Sequence, residues 1–389
     1  MQRAWILGAM VGVTLCAPAC SSSDSSPPPP ASQPDASDDA ASDAGQDVVV
    51  SDQTSEPPVQ EAGKDVATEP PACVPIDNYT PTADDVKFKA LAPVPKGEQI
   101  LYGNWSTSSS ALDGIFTMAP DGTGSTKLFE LWRVWSMGVS NAVDQIAVAS
   151  GEPDQEKHYC VATGDAIQHT WMYDVGSQSL KLIASGNIND ECHFFGQQDK
   201  NLYVCRRTDF TADFKNTPYN VGRINLQSLA FEFLTTEVDP KMALHGVPNS
   251  DESLLYYTFI KMPDNSRTLM RKALPGGTPE VFLDNAGAMV ISPDGKQFVY
   301  ANTTDKSALY ITSIDGAGTP LKIANHNGTS VKFSPDGTRV AFLWNDQAAN
   351  CSHVEIVKID GSEAATPNRI RDCTKTGENL TELAWVVRP

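Results

Sequence analysis

Two stretches near the C-terminus are near copies of each other. Val290-Ile291-Ser292-Pro293-Asp294-Gly295-Lys296-Gln297-Phe298-Val299-Tyr300 is followed 42 residues later by Lys332-Phe333-Ser334-Pro335-Asp336-Gly337-Thr338-Arg339-Val340-Ala341-Phe342. A repeat of that period means stacked units, none of which buries a core alone. In each copy an apolar strand enters a Pro-Asp-Gly turn and returns with alternating apolar positions, a hairpin signal. A second hairpin follows in each unit, with Ala308 to Ile314 leading into Asp315-Gly316, and Val354 to Ile359 leading into Asp360-Gly361. Gly suits such corners because it takes positive φ without a Cβ clash, and Asp can bond its own backbone. The aspartates are therefore read as turn formers, and each unit as four strands.

Looser copies lie upstream. One unit is read from Pro95 to Tyr102, Ile115 to Gly122 and Lys127 to Phe129, and the next from Met137 to Ser140, Gln145 to Ala149, Trp171 to Gly176 and Leu180 to Ala184. A third uses His193 to Phe195, Leu202 to Val204, Val221 to Asn225 and Phe231 to Leu234. A fourth uses Gly246 to Pro248, Leu254 to Tyr257, Thr268 to Ala273 and Pro279 to Leu283. With the two clear copies the count is six, at roughly 50 residues per unit over residues 73–389, which fits propeller blades with a few longer loops. The last segment, Leu380 to Pro389, reads as an inner strand detached from its blade. Pairing it with the first blade would close the ring and leave no open sheet edge. The expected fold is all-β: a six-bladed propeller of four-stranded antiparallel blades, closed by the C-terminal strand.

The Ser-Pro-Asp-Gly hairpins and the Asp-Gly second turns resemble the WD-repeat-like propeller repeats of the TolB family, strongly in two units and weakly in four. That resemblance implies a six-bladed propeller and a protein-binding role in the cell envelope. TolB-type proteins carry an α/β domain before the propeller, and this sequence has a low-complexity stretch there instead.

The N-terminus has Arg3, an apolar run from Ala4 to Leu15, then Ala17-Pro18-Ala19-Cys20. This is the layout of a signal peptide over residues 1–19. Small residues before Cys20 and serines after it resemble the lipobox of bacterial lipoproteins, which implies acylation of Cys20 as the first mature residue. The apolar run is too short for a transmembrane helix. Residues 20–72 are rich in Ser, Pro, Ala and acid, with eleven carboxylates against Lys64 alone. Such a composition cannot bury enough surface to fold, so the stretch is expected to be a disordered, self-repelling linker of about 40 Å or more. The net charge of −19 argues against nucleic acid or anionic lipid as partner for the folded part.

Apart from Cys16 and Cys20, six cysteines remain: Cys73, Cys160, Cys192, Cys205, Cys351 and Cys373. An even count in an exported chain suggests disulfides. Their places in the repeat suggest pairing Cys160 with Cys192 and Cys351 with Cys373, leaving Cys73 for Cys205. The six histidines are scattered, several in or beside predicted loops, with His193 and His245 at the start of predicted inner strands. The sequence contains no Gly-x-Ser-x-Gly elbow and no phosphate-binding Gly-x-x-x-x-Gly-Lys-Ser/Thr loop, and neither a cofactor nor a metal is expected.

Two functions follow. The first is a lipid-anchored binding scaffold, monomeric and bound to the outer membrane, recognising an envelope protein or peptidoglycan-associated partner through one propeller face. The second is an envelope propeller enzyme, a lyase or glycan-acting protein with its site at the channel mouth. Candidate binding residues are Trp132, Arg133, Trp135, Arg206, Arg207, Tyr219, Trp344, His193 and His245, because Trp and Arg are enriched at interfaces.

Overall fold

The computed structural model describes residues 80–106, 113–152, 167–208, 218–238, 241–305, 308–326, 328–346, 351–372 and 378–389. Residues 1–79, which include the expected signal peptide, Cys20, the acidic stretch and Cys73, lie outside them, as do Cys160 and Cys373. Every element among the described residues is a strand. Strands β1 (Lys89–Ala90), β2 (Gly97–Ser106), β3 (Gly114–Met118) and β4 (Thr126–Glu130) form the first blade together with the final strand, β25 (Glu378–Arg388). Blade 2 contains β5 (Val134–Val139), β6 (Gln145–Ser150), β7 (His169–Asp174) and β8 (Ser179–Ala184). Blade 3 contains β9 (Ile188–Phe195), β10 (Asn201–Thr208), β11 (Asn220–Asn225) and β12 (Phe231–Phe233). Blade 4 runs through β13 (Lys241–Pro248), β14 (Leu254–Lys261), β15 (Ser266–Ala273) and β16 (Glu280–Asp284). Blade 5 runs through β17 (Ala286–Ile291), β18 (Gln297–Asn302), β19 (Ala308–Ser313) and β20 (Leu321–Ala324). Blade 6 runs through β21 (Gly328–Phe333), β22 (Arg339–Asp346), β23 (Cys351–Lys358) and β24 (Asn368–Arg371). All strand pairs are antiparallel, and the molecule is the six-bladed β-propeller that the repeat predicts.

The turns form as the residue types dictate. In the clear copies Ser292 and Ser334 each donate to the turn aspartate, Oγ to Oδ1 at 2.6 Å, while the backbone N–H of Gln297 or Arg339 donates back to the serine at 2.9 Å. Gly295 and Gly337 both take φ of 72°, a conformation costly for residues with a Cβ. Worn copies reach the same geometry with other residues: Ser140 accepts from Gln145 in blade 2 and Asn249 from Leu254 in blade 4.

Packing is between blades. Each of the six interfaces has its own apolar cluster, such as Ala147 and Met172 against Phe195 and Val204 between blades 2 and 3, or Val299 and Leu309 against Phe333 and Phe342 between blades 5 and 6. The sixth cluster sets Leu343 and Ile356 of blade 6 against Ile100, Leu383 and Trp385 of blade 1. Second strands, covered by a neighbouring blade on each face, are nearly continuously buried, whereas the outermost strands β12, β16 and β24 contain no fully buried residue. This is the pattern of a strand's solvation by position, since only an inner strand has apolar neighbours on both faces.

Closure follows the expected route. β25 pairs with β2 along its length, from Gly97 opposite Arg388 to Ser106 opposite Glu378. Glu98 then stitches the last blade to the first, accepting from the Trp385 indole at 2.8 Å and from Arg339 at 3.2 Å. The two-residue β1 on the outer edge of blade 1 has no counterpart in the repeat template.

Candidate functional site

The axis of the propeller is lined by the six inner strands, β25, β5, β9, β13, β17 and β21, which touch in a closed cycle. Each contains a register shift against its neighbour. Counted back from the first-turn residues Gly196, Asn249, Ser292 and Ser334, the same position holds Cys192, His245, Ala288 and Ser330. All four have positive φ, at 56°, 54°, 36° and 47°. Bulges re-aim side chains, and non-glycine residues held at positive φ collect at functional sites. Here they turn Cys192, His245 and Ser330 to a small axial cavity of about 40 Å³, which Lys332 and Glu382 also line. Lys332 and Glu382 form an ion pair at 3.1 Å. A neighbouring cavity of about 140 Å³ opens between Gly138, His193, Lys332 and Trp385. Both are below the about 300–1,000 Å³ of a drug-sized ligand site; they suit waters, an ion or a single inserted side chain.

His193 and His245 do come together around this axis, but not at strand starts. They sit at the bulges, which no local residue pattern announces. His193 is buried within a relay that joins blades 2 and 3. Arg206 grips Asp190 with two hydrogen bonds of 2.6 Å, and Thr170 donates to Asp190 Oδ2 at 2.6 Å. With its proton so committed, Thr170 accepts from His193 Nε2 at 3.0 Å, which leaves Nδ1 to accept from the Ser136 hydroxyl at 2.5 Å. Burial pulls the His193 pKa down to about 4, outweighing the pull of Asp190 in the other direction. The imidazole is therefore neutral at pH 7. Serine, imidazole and carboxylate are in series, yet Ser136 is itself buried and lines neither cavity; the relay works as a polar tie between blades. Close approach there also needs Gly138, where a Cβ would fall 2.7 Å from the His193 carbonyl oxygen.

The remaining candidate residues share one end of the propeller. Antiparallel alternation puts every connection between second and third strands, and every connection between blades, at the same end, opposite the Pro-Asp-Gly turns. Trp132, Arg133 and Trp135 meet there: the Arg133 guanidinium lies 4.7 Å from the Trp132 ring and 5.5 Å from that of Trp105, and Trp105 packs 5.5 Å from Trp135. Cation–π contacts of this kind fix an arginine that is still partly exposed. Trp344 is apart, in blade 6, stacked between His326 at 4.3 Å and His353 at 5.1 Å with Arg369 at 4.8 Å. Glu355, buried below, takes His326 Nδ1 at 2.6 Å and Arg369 at 3.2 Å.

Arg206, Arg207 and Tyr219 form the third group, and they are buried. Arg207 covers the Tyr219 ring at 4.2 Å, and the Tyr219 hydroxyl donates to Glu191 at 2.8 Å. Burial pushes both the Tyr219 hydroxyl and the Glu191 carboxyl up. This group acts inside the fold, and the partners that bury it, Asp190 and Glu191, carry no mark in the sequence. Trp105 also went unread, because an aromatic at the end of a strand looks like any core residue.

The cysteines require a correction. Cys192 and Cys205 are free thiols, so neither pairs with Cys160 or Cys73. Cys192 stands in the inner strand of blade 3, packed against Cys205, rather than at a rim of blade 2 where Cys160 could meet it. Cys351 is disulfide-bonded, and its expected partner Cys373 lies outside the described residues. His169 and His353 are buried, because the third strands on which they stand are covered by adjoining blades.

No family model and no curated protein matches the chain. Among solved structures, TolB from Acinetobacter baumannii superposes with a TM-score of 0.56 at 15% identity, covering 75% of this chain and 67% of that one. The fold is a TolB-like propeller. A chain of the nidogen/laminin complex gives 0.51 at 9% identity, over 74% of this chain and 98% of its own. The oligogalacturonate lyase in complex with manganese gives only 0.42 at 14% identity, over 71% of this chain and 74% of that one.

Proposed function

We propose that this chain is a cell-envelope binding scaffold, tethered through acylated Cys20 and the linker of residues 20–72, whose propeller over residues 73–389 recognises a protein or peptidoglycan-associated partner. The observation that carries the reading is the collection of Trp132, Arg133 and Trp344 at the loop end, each stacked and still partly exposed. Rigid aromatic and arginine groups of this sort make up interface hot spots. The signal layout and the TolB-like fold support an envelope address, and the lipobox supports anchoring in the outer membrane. The alternative of a propeller lyase would draw on histidines, and His193, His326 and His353 already contact Ser136, Glu355 and Asp372, the first of these pairs within the buried core.

The test is a crosslinking pull-down from native envelopes with the intact lipidated chain and with a Trp132→Ala/Arg133→Ala double variant. Loss of about ten-fold or more in the captured partner is expected of a hot-spot pair. Undiminished capture by the folded double variant refutes the assignment of this end.

A further inference from the structure

β9 and β10 carry a second device besides the polar relay. Their register runs from Phe194 opposite Tyr203 to Glu191 opposite Cys205, so that Cys192 and His193 together face Val204. The positive φ of Cys192 in this bulge sets its thiol against that of Cys205, within hydrogen-bonding reach. Cys205 is fully buried and accepts the backbone N–H of His245 at 3.0 Å. Cys192 is only half-buried and lines the axial cavity, and the His245 side chain hydrogen-bonds to it from blade 4. Equivalent bulge positions in blades 4, 5 and 6 hold His245, Ala288 and Ser330, so none of those three blades places a thiol there. Antiparallel neighbours approach within the Cα separations that a disulfide spans, and an exported chain works where thiols meet oxidants.

We propose that Cys192 and Cys205 are a reversible dithiol–disulfide pair, with Cys192 as the attacking thiol and Cys205 as the resolving one, opened and closed from the axial cavity. The oxidant is a disulfide of a small thiol or of an exchange protein. Cys192 sulfur attacks one of its sulfurs, giving a mixed disulfide and releasing the first thiol; Cys205 sulfur then attacks Cys192 and releases the second. Two protons and two electrons leave the pair and reside on the two released thiols, and the new bond is Cys192 Sγ–Cys205 Sγ. The Cys205 thiol and burial push the Cys192 thiol up, so attack requires a base at hand, and His245, hydrogen-bonded to Cys192, is placed to take the thiol proton. Closing the bond removes the thiol partner of His245, so the redox state of blade 3 alters the hydrogen bonding of a blade 4 side chain at the cavity wall.

The test uses the purified full chain, treated with oxidised glutathione or with dithiothreitol, trapped by alkylation and mapped by mass spectrometry. A peptide linking Cys192 to Cys205 is expected after oxidation and disappears on reduction. In Cys205→Ser, Cys192 should accumulate as a mixed disulfide with glutathione. In Cys192→Ser, Cys205 should stay unmodified until the protein is unfolded. The proposal is overturned if both thiols remain alkylatable in saturating oxidised glutathione, if either is found linked to Cys73 or Cys160, or if the two single variants take up glutathione equally. Mapping the wild-type chain decides the bond even where a variant fails to fold.

Discussion

Blades 3 and 6 share a backbone and differ in what it carries. Both place a bulge at the same distance before the first turn, at Cys192-His193 and at Ser330-Val331. In blade 6 the sequence repeat is crisp and the bulge presents a hydroxyl and a valine. Blade 3 is so worn that its strands are hard to align, and its bulge presents a thiol and an imidazole backed by Asp190 and Arg206. The two blades therefore differ at the axis: the crisp copy keeps small or apolar side chains at its bulge and carries its own buried carboxylate, Glu355, away from it on the third strand, whereas the worn copy has its ionisable groups at the bulge itself. The same holds in blade 4, where His245 takes the place of Ser330.

The comparison breaks first at Asp190. Asp190→Ala leaves Arg206 buried without its carboxylate, a loss of about 3–5 kcal/mol in urea unfolding. A cost under about 1 kcal/mol would mean that blade 3 is held by packing alone. A somewhat smaller effect concerns pH. His193 has a folded pKa of about 4 against an ordinary 6.5, so between those values the unfolded chain binds more protons than the folded one. Its contribution is present in full above about pH 6.5 and is lost as pH falls toward 4, by about 3 kcal/mol in total. Unfolding measured at pH 7.5 and pH 4.5 should show that decline in the wild type and a smaller one in His193→Gln; equal declines would remove His193 from the account. The smallest effect sharpens the other side. Ser292→Ala and Ser334→Ala each remove one turn hydroxyl with matching bonds, and each should cost about 1 kcal/mol, the two values agreeing because the clear copies are equivalent.

Much of the fold was legible because its signals are local. Pro-Asp-Gly and Asp-Gly corners specify hairpins from a few adjacent residues, and alternation specifies which side chains face a neighbouring blade. The detached strand from Leu380 onward was readable for the same reason. The candidate site was legible only in part. Trp132, Arg133 and Trp135 could be named from residue type, but their stacking with Trp105 depends on two blades meeting. Arg206, Arg207 and Tyr219 look identical to surface residues in one dimension, and buried carboxylates at positions 190 and 191 turn them inward.

The amino-acid sequence by itself determined the number of blades, their antiparallel order and the closing strand, since turn chemistry and a period of two act over short distances. Tertiary structure alone decided which thiols face each other and which histidines reach the axis. Those outcomes depend on register shifts, and a bulge of one residue redirects a side chain while leaving the apolar pattern around it unchanged.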